Sequence, residues 1–297
     1  MQSSNEIAFT REELERSRNE SHSLQGDVGH LSRGILRIHV LASGSKGNAT
    51  IIEDTRTGEG VLIDAGICKR DVLTRSLEAG FNLCNLRAVL VTHEHSDHVK
   101  GLGVLYRELS KRGLEVPLIV HESCLKNSRA IQEACELTET RFFQEGSQFS
   151  LAGMQIWPFA TSHDAACSFG FRFWDGHDAL GFMTDTGIVT DMAHDALGGC
   201  RILAIEANHD PRMLANGPYP YHLQQRVASE LGHLSNGQSA EELLRLLHPG
   251  LEQVIAMHIS ENNNTYRLPV EELRRAIGQE GHNACVVCAY QKRLVSY

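Results

Sequence analysis

The sequence has no apolar run approaching the roughly 18 residues that a membrane-spanning helix needs, which excludes a helical integral membrane protein. It has no surplus of basic residues. Lysine and arginine number 28 against 37 aspartates and glutamates, for a formal charge of -9. A protein that coats nucleic acid non-specifically shows a basic stripe instead. No early basic residue followed by an apolar segment opens the chain, so no secretory signal is expected. The 8 cysteines are scattered without the spacing of a disulfide framework, which fits free thiols and a cytoplasmic setting. Cys285-Val286-Val287-Cys288 has the spacing of a metal knuckle but no second pair, and its apolar centre predicts a buried strand.

What is present divides the chain in two. Residues 1–33 are polar and lack a sustained periodic face, which predicts a mobile tail, with a short charged helix around Glu12 to Arg18. Residues 34–297 are expected to form the catalytic domain. Strands are predicted at 35–41, 50–53, 61–64, 88–91, 117–120, 149–157, 168–174, 179–184, 201–206, 253–257 and 285–290. Helical spacing appears at 71–79, 99–109, 239–247 and 270–277. Strands precede the chemistry-bearing loops in both halves. This predicts an α/β fold in which two sheets pack together with helices outside and a site at the strand ends.

The densest chemistry lies in Thr92-His93-Glu94-His95-Ser96-Asp97-His98, directly after the apolar run Ala88-Val89-Leu90-Val91. Imidazole and carboxylate together suit zinc, manganese or iron. Four such groups packed this closely cannot all face one ion, and Asp97 beside His98 can serve a second. Two neighbouring ions most often do hydrolysis by acidifying a water. Three more groups of ligand type end apolar strands downstream: His163, Asp185 and His258. Together they make a set sufficient for two divalent ions with an open position.

The order His-x-His-x-Asp-His, then His163, Asp185 and His258, resembles the metallo-β-lactamase-fold hydrolases. The resemblance implies a four-layered αββα sandwich. It also implies that His93, His95 and His163 hold one ion, that Asp97, His98 and His258 hold the other, and that Asp185 bridges them. Three further segments narrow the resemblance. Ala204-Ile205-Glu206-Ala207-Asn208-His209-Asp210 and Gly232-His233-Leu234-Ser235-Asn236 resemble segments of ribonuclease Z-like enzymes. His258-Ile259-Ser260-Glu261-Asn262-Asn263-Asn264 resembles the final ligand loop of one bacterial branch, with Leu41-Ala42-Ser43-Gly44-Ser45-Lys46-Gly47-Asn48 at the front. They are similar to the YycJ/WalJ-type family, whose members are regarded as metal-dependent DNA exonucleases. DNA ends are then the expected substrate, digested 5′ to 3′ by a hydroxide bridging the two ions.

The same resemblance makes His233 the proton donor to the leaving oxygen, oriented by Glu206, with Asp97 at the catalytic centre. Ala204-Ile205-Glu206 lacks the histidine that ribonuclease Z-like enzymes carry before this glutamate, which argues against tRNA processing. Ser45, Asn48, Ser260, Asn262 and Asn263 are candidate substrate contacts, and Arg212, Arg226 and Arg267 are open choices for phosphate positioning. Asp64 either orients a ligand histidine or caps the Ala65-Gly66 turn. The alternative function is a small-molecule hydrolase of the same fold, a cyclic phosphodiesterase first and a lactonase or thioesterase after it.

Overall fold

Apolar residues on both faces of a strand require cover on both sides, and here they receive it. The computed structural model describes residues 35–297. Its first sheet contains β1 (Leu36–Ala42), β2 (Ala49–Asp54), β3 (Glu59–Ile63), β4 (Leu86–Leu90), β5 (Leu118–Val120) and β6 (Thr140–Phe142). The second contains β7 (Phe149–Leu151), β8 (Met154–Ala160), β9 (Phe169–Trp174), β10 (Ala179–Met183), β11 (Ile202–Glu206), β12 (Gln253–Met257) and β13 (Cys285–Cys288). The terminal strand β14 (Val295–Ser296) returns to the first sheet beside β1. The orders are β14-β1-β2-β3-β4-β5-β6 and β13-β12-β11-β10-β9-β8-β7. Pairing is parallel from β3 to β6 and from β10 to β13, and antiparallel elsewhere.

Alternation along each strand divides the core into three layers. Ile52, Val61, Ile63 and Leu90 point between the sheets, where they meet Phe171, Phe173, Ala204 and Ile255. Their neighbours Ile51, Leu62 and Val89 point the other way, onto helices α1 (Lys69–Glu78), α2 (Ser96–Val99), α3 (Leu102–Lys111), α4 (Glu122–Asn127) and α5 (Arg129–Cys135). On the far side Leu203, Ile205, Val254 and Ala256 pack under α6 (Asp191–Leu197), α9 (Asn236–Arg245) and α10 (Leu268–Gln279). Helices α7 (Pro211–Asn216) and α8 (Tyr221–Val227) lie between α6 and α9 in the chain. The layering is the expected αββα sandwich. Each fully buried leucine, isoleucine or phenylalanine stabilises it by about 1.5–3 kcal/mol.

Several elements differ from the sequence expectation. The strand expected over 149–157 is a hairpin, because Ala152 (φ 51°) and Gly153 (φ 74°) both take left-handed backbone and close a tight turn between β7 and β8. The single helix expected from 99 to 109 is broken into α2 and α3. At the break, a Cβ on Gly101 would lie 2.3 Å from Ile67 O and 2.5 Å from Ala65 O. Helix α9 starts earlier than expected, at Asn236, where Ser235 and Gln238 form a reciprocal capping box. The charged helix and tail expected over 1–33 lie outside the described residues.

One buried ion pair ties the two sheets together. Asp178 accepts from the backbone N–H groups of Ile35 and Leu36 at 2.9 Å, at the start of β1. It also accepts from Arg201 Nε at 2.8 Å and Nη2 at 2.7 Å, and Arg201 in turn donates to Leu36 O at 2.8 Å. Removing Asp178 leaves the N–H groups of Ile35 and Leu36 without this acceptor, although Arg201 keeps Glu252 at 3.3 Å. Asp178→Ala is therefore expected to lower stability by about 2 kcal/mol, read as a fall in urea midpoint with unchanged slope. An unchanged midpoint would show that the sheets are held without this pair.

Candidate metal centre

Parallel strands of both sheets end at one edge of the sandwich, and each delivers a polar side chain there. Asp64 follows β3, Thr92 and His93 follow β4, Asp185 follows β10, Glu206 ends β11 and His258 follows β12. Asp64 (φ 59°), Asp185 (φ 55°) and His258 (φ 53°) adopt left-handed backbone. They are three of only four non-glycine residues to do so among the described residues. Each such residue costs on the order of 1–3 kcal/mol and persists only where its surroundings over-determine it.

Backbone contacts lock the histidine-rich loop. Asn48 N donates to Asp97 O at 2.8 Å, Ala65 N to His98 O at 2.8 Å and Gly101 N to Ala65 O at 2.8 Å. The approach is so close that a Cβ on Gly66 would fall 1.5 Å from Asp97 O. Glycine at 66 is therefore required for contact with the metal loop, beyond its place in a turn. Asp64 is 1% exposed and holds this loop from below. It accepts from Thr92 N at 2.9 Å, Thr92 Oγ1 at 2.8 Å and His98 Nδ1 at 2.7 Å. Of the two readings left open for Asp64, orientation of a histidine is the one its contacts match.

All seven sequence-predicted metal residues come together. His93, His95 and His163 offer nitrogens within 4.8 Å of one another, and Asp97, His98 and His258 form a second such set. Asp185 lies between the sets, with Oδ1 3.8 Å from His163 Nε2 and Oδ2 3.4 Å from His98 Nε2. His163 Nδ1 donates to Gly232 O at 3.0 Å and His258 Nδ1 to Glu206 Oε1 at 2.9 Å, which leaves the Nε2 atom of each ring for an ion. His93 Nε2, His258 Nε2 and Asp185 Oδ2 are buried without a hydrogen-bond partner. A buried polar atom left unpaired costs about 1–3 kcal/mol. Three such atoms converging on one cluster fit a bound cation.

The electrostatics agree. Burial alone would lower the pKa of His98, but the Asp185 and Asp64 carboxylates reverse this and push it up to about 9. Burial and the surrounding imidazoles hold His93 well below the ordinary histidine range. Glu206 stays well below the usual carboxylate range despite complete burial, because His233 and His258 face it.

A pocket of about 160 Å³ lies beside the cluster, lined by Ser45, Asn208, Tyr219, Arg226, His233 and Ser260 among others. Three of the sequence-predicted residues, His233, Ser45 and Ser260, thus line one pocket. Asn262 is exposed and donates to Tyr219 Oη at 3.3 Å. Asn48 is 7% exposed and faces inward, donating to Asp97 Oδ2 at 3.4 Å and contacting His98 Nε2 at 3.0 Å. Asn263 is fully buried and is not among the pocket residues. Of the three candidate arginines, Arg226 lines the pocket and pairs with Asp164, whereas Arg267 is exposed and pairs with Glu271.

The backbone groups of the 43–48 loop are largely engaged within the protein. Asn48 Oδ1 accepts from Gly44 N, Gly44 O from Gly47 N, and Gln291 Oε1 from Lys46 N. Sequence reasoning missed Gln291 and Tyr219, which carry no local motif, and gave no role to Asn208, two residues after Glu206.

Against burial, Asp185 and Asp64 push the pKa of His98 up to about 9, and Asp185, Asp97 and Glu206 push that of His258 well above the ordinary histidine range. Both rings are then expected to carry a proton at pH 7 without an ion and to lose it on binding one. Zinc binding at pH 7 is therefore expected to release about two protons, with affinity rising as pH approaches 9. Calorimetry in buffers of differing ionisation enthalpy reads this directly. A binding enthalpy independent of buffer would show that neither ring gives up a proton to an ion.

Residues 60–259 match the Beta-lactamase superfamily domain. The exodeoxyribonuclease WalJ of Streptococcus pneumoniae is 34% identical over 232 residues, covering 77% of this chain and 83% of that protein. The exodeoxyribonuclease YycJ of Bacillus anthracis is 29% identical over 246 residues, covering 83% and 90%. Among solved structures, the metallo-β-lactamase-fold protein YhfI of Bacillus subtilis superposes with a TM-score of 0.66 at 16% identity, covering 88% of this chain and 99% of that one. With the greater part of its length matched and the two-sheet sandwich in place, this chain belongs to the beta-lactamase superfamily, in its metallo-β-lactamase fold.

Proposed function

We propose that this protein is a metal-dependent phosphodiesterase acting as a DNA exonuclease that enters at a 5′ end. The observation that carries the reading is the 2.9 Å pairing of His233 Nδ1 with Glu206 Oε1, at the wall of a pocket beside the candidate ligands. The two relatives named exodeoxyribonucleases, each matched over most of both chains, support DNA as the substrate.

His93, His95 and His163 would hold one divalent ion, Asp97, His98 and His258 a second, with Asp185 between them. Zinc or manganese suits these donors, and iron is compatible with them. Asp64, Asp97, Asp185 and Glu206 bring four negative charges to one largely buried site, which two divalent ions would offset. When bound, such ions supply acidification of water and neutralisation of charge on the phosphate.

The remaining work falls to side chains. Glu206 fixes His233 through Nδ1, so Nε2 is the nitrogen that delivers a proton to the leaving 3′-oxygen. Ser45, Ser260 and Arg226 line the space where phosphate and sugar would sit, and Asn262 steadies Tyr219 at its rim. Asn48 holds Asp97 and His98 in place. Asn263 is joined to its surroundings through its backbone, its N–H donating to Ser260 Oγ and its oxygen accepting from Asp210 N. No helix among the described residues is long and apolar enough to cross a membrane. The unpaired state of all eight cysteines supports a cytoplasmic setting.

The test compares end-labelled duplex DNA, single-stranded DNA, RNA and small phosphodiesters as substrates for wild type and Asp97→Asn. Release of nucleotides from the 5′ end of DNA, abolished in Asp97→Asn, is the expected result. Turnover confined to small diesters or esters would refute the nuclease assignment. Equal activity in Asp97→Asn would place the activity outside this site. His233→Ala is expected to keep its metal while turnover of unactivated DNA falls roughly 10²- to 10⁴-fold. Loss of metal in His233→Ala would make His233 a ligand instead.

A further inference from the structure

Beside the metal centre, two thiols and an imidazole meet without any part in the chemistry above. Cys124, in α4, and Cys167, in the loop between β8 and β9, place their Sγ atoms 3.2 Å apart. Among the described residues no other pair of cysteine sulfurs is in such contact. His121, at the N-terminus of α4, has Nδ1 3.3 Å from Cys167 Sγ. The same Nδ1 accepts from Ser123 N at 3.3 Å, so it bears no hydrogen, and a proton taken from the thiol displaces that bond. Cys124 is buried and Cys167 is partly exposed, so only Cys167 is open to a solvent-borne reagent. Its hydrogen bond with Cys124 holds the Cys167 thiol below its ordinary range and pushes Cys124 above its own. A partly exposed thiol with thiolate character beside a resolving thiol is the arrangement on which oxidants act.

The position of Cys167 gives its oxidation a consequence. Its loop also carries His163, a candidate ligand. On one side of Cys167, Ala166 N donates to Glu94 Oε1 at 2.6 Å, between His93 and His95. On the other, Phe169 N donates to Thr92 O at 3.2 Å. Two hydrogen bonds thus seat this loop on the segment that carries four of the seven candidate ligands. Forming a disulfide draws the sulfurs together by roughly 1 Å, and the part of that shift taken up by the Cys167 backbone is borne by these two bonds.

We propose that Cys124 and Cys167 form an oxidation-sensitive site, at which a hydroperoxide converts the thiol pair to a disulfide that displaces the His163 loop and weakens metal binding. His121 accepts the Cys167 proton, and the thiolate attacks the outer oxygen of the hydroperoxide. The O–O bond breaks, Cys167 becomes a sulfenic acid, and the leaving oxygen departs as water or alcohol with the proton from His121. The Cys124 sulfur then attacks Cys167, the S–O bond breaks, and hydroxide leaves as water with the Cys124 proton. The two thiols lose two electrons and the hydroperoxide gains them.

The experiment uses metal-loaded protein in which the exposed Cys68, Cys84 and Cys285 are changed to serine. After brief treatment with hydrogen peroxide, non-reducing peptide mapping is expected to find a Cys124–Cys167 crosslink lighter by two hydrogens. Retention of metal against a chromophoric chelator is expected to weaken roughly 10-fold or more and to recover after phosphine reduction. Cys124→Ser and Cys167→Ser should each abolish both effects. Thiols that remain fully alkylatable in urea after peroxide would overturn the proposal, as would a crosslink that leaves metal retention unchanged. Should a variant fold poorly, peptide mapping and chelator challenge on the unsubstituted chain distinguish the same outcomes. Neither readout requires the protein to be a nuclease.

Discussion

The site depends above all on the Glu206 carboxylate. It is 0% exposed at the end of β11, where an ionised group survives only if its oxygens are fully engaged. Oε1 accepts from His258 Nδ1 and His233 Nδ1, both at 2.9 Å. Oε2 accepts from Thr186 N at 2.9 Å and Leu234 N at 3.2 Å. One buried side chain therefore fixes the last candidate ligand, the proposed proton donor, the turn after Asp185 and the segment entering α9. Because a carboxylate only accepts, it also sets the tautomer of both rings. Loss of this group would release four elements at once, so its effect on metal binding and on proton transfer cannot be separated by removing it alone.

Asp64 plays the matching part in the first sheet, and the pair explains where the backbone strain sits. Asp64, Asp185 and His258 hold left-handed conformations at three different strand ends. A conformation that unfavourable is maintained by bonds the extended alternative would break. For Asp64 these are the bonds to Thr92 and His98. For His258 they are the bonds to Ser43 Oγ and Glu206. The strain turns each side chain from its strand toward the common edge, so the energy stored in the backbone and the clustering of ligands are one arrangement. It also leaves several like charges close together, which a bound cation would relieve.

This division between local and distant determinants explains what the sequence reveals. The spacing from His93 to His98 is legible because both the strand and its loop lie within a few residues. His163, Asp185 and His258 are legible because each ends an apolar strand, and parallel strands of a layered sandwich end at one edge. The three-layered division of the core follows from near-continuous apolar strands. Contacts made across the chain are not legible. Nothing near Asn48 shows that it turns inward to Asp97 and His98, or that Gly66 carries a backbone oxygen against its Cα. Asn262 and Asn263 are neighbours of the same type, yet one is exposed and the other fully buried, because only the second faces Asp210 and Gly217. Arg226 separates from Arg212 and Arg267 only once α8 is placed against the pocket.

The same geometry bears on how an acidic protein handles a polyanion. With a formal charge of -9, the surface offers no extended attraction for a duplex. The Asp64 and Glu206 carboxylates are engaged with histidines and backbone donors, whereas Asp185 Oδ2 has no hydrogen-bond partner. The cationic group at the pocket wall, Arg226, is itself held by Asp164. Attraction for phosphate is thus confined to the ion-binding cluster and its rim. A long strand gains little by lying along such a protein, whereas one terminal phosphodiester that reaches the cluster gains nearly all the interaction available. The small pocket and the acidic exterior therefore favour engagement of chain ends over internal positions.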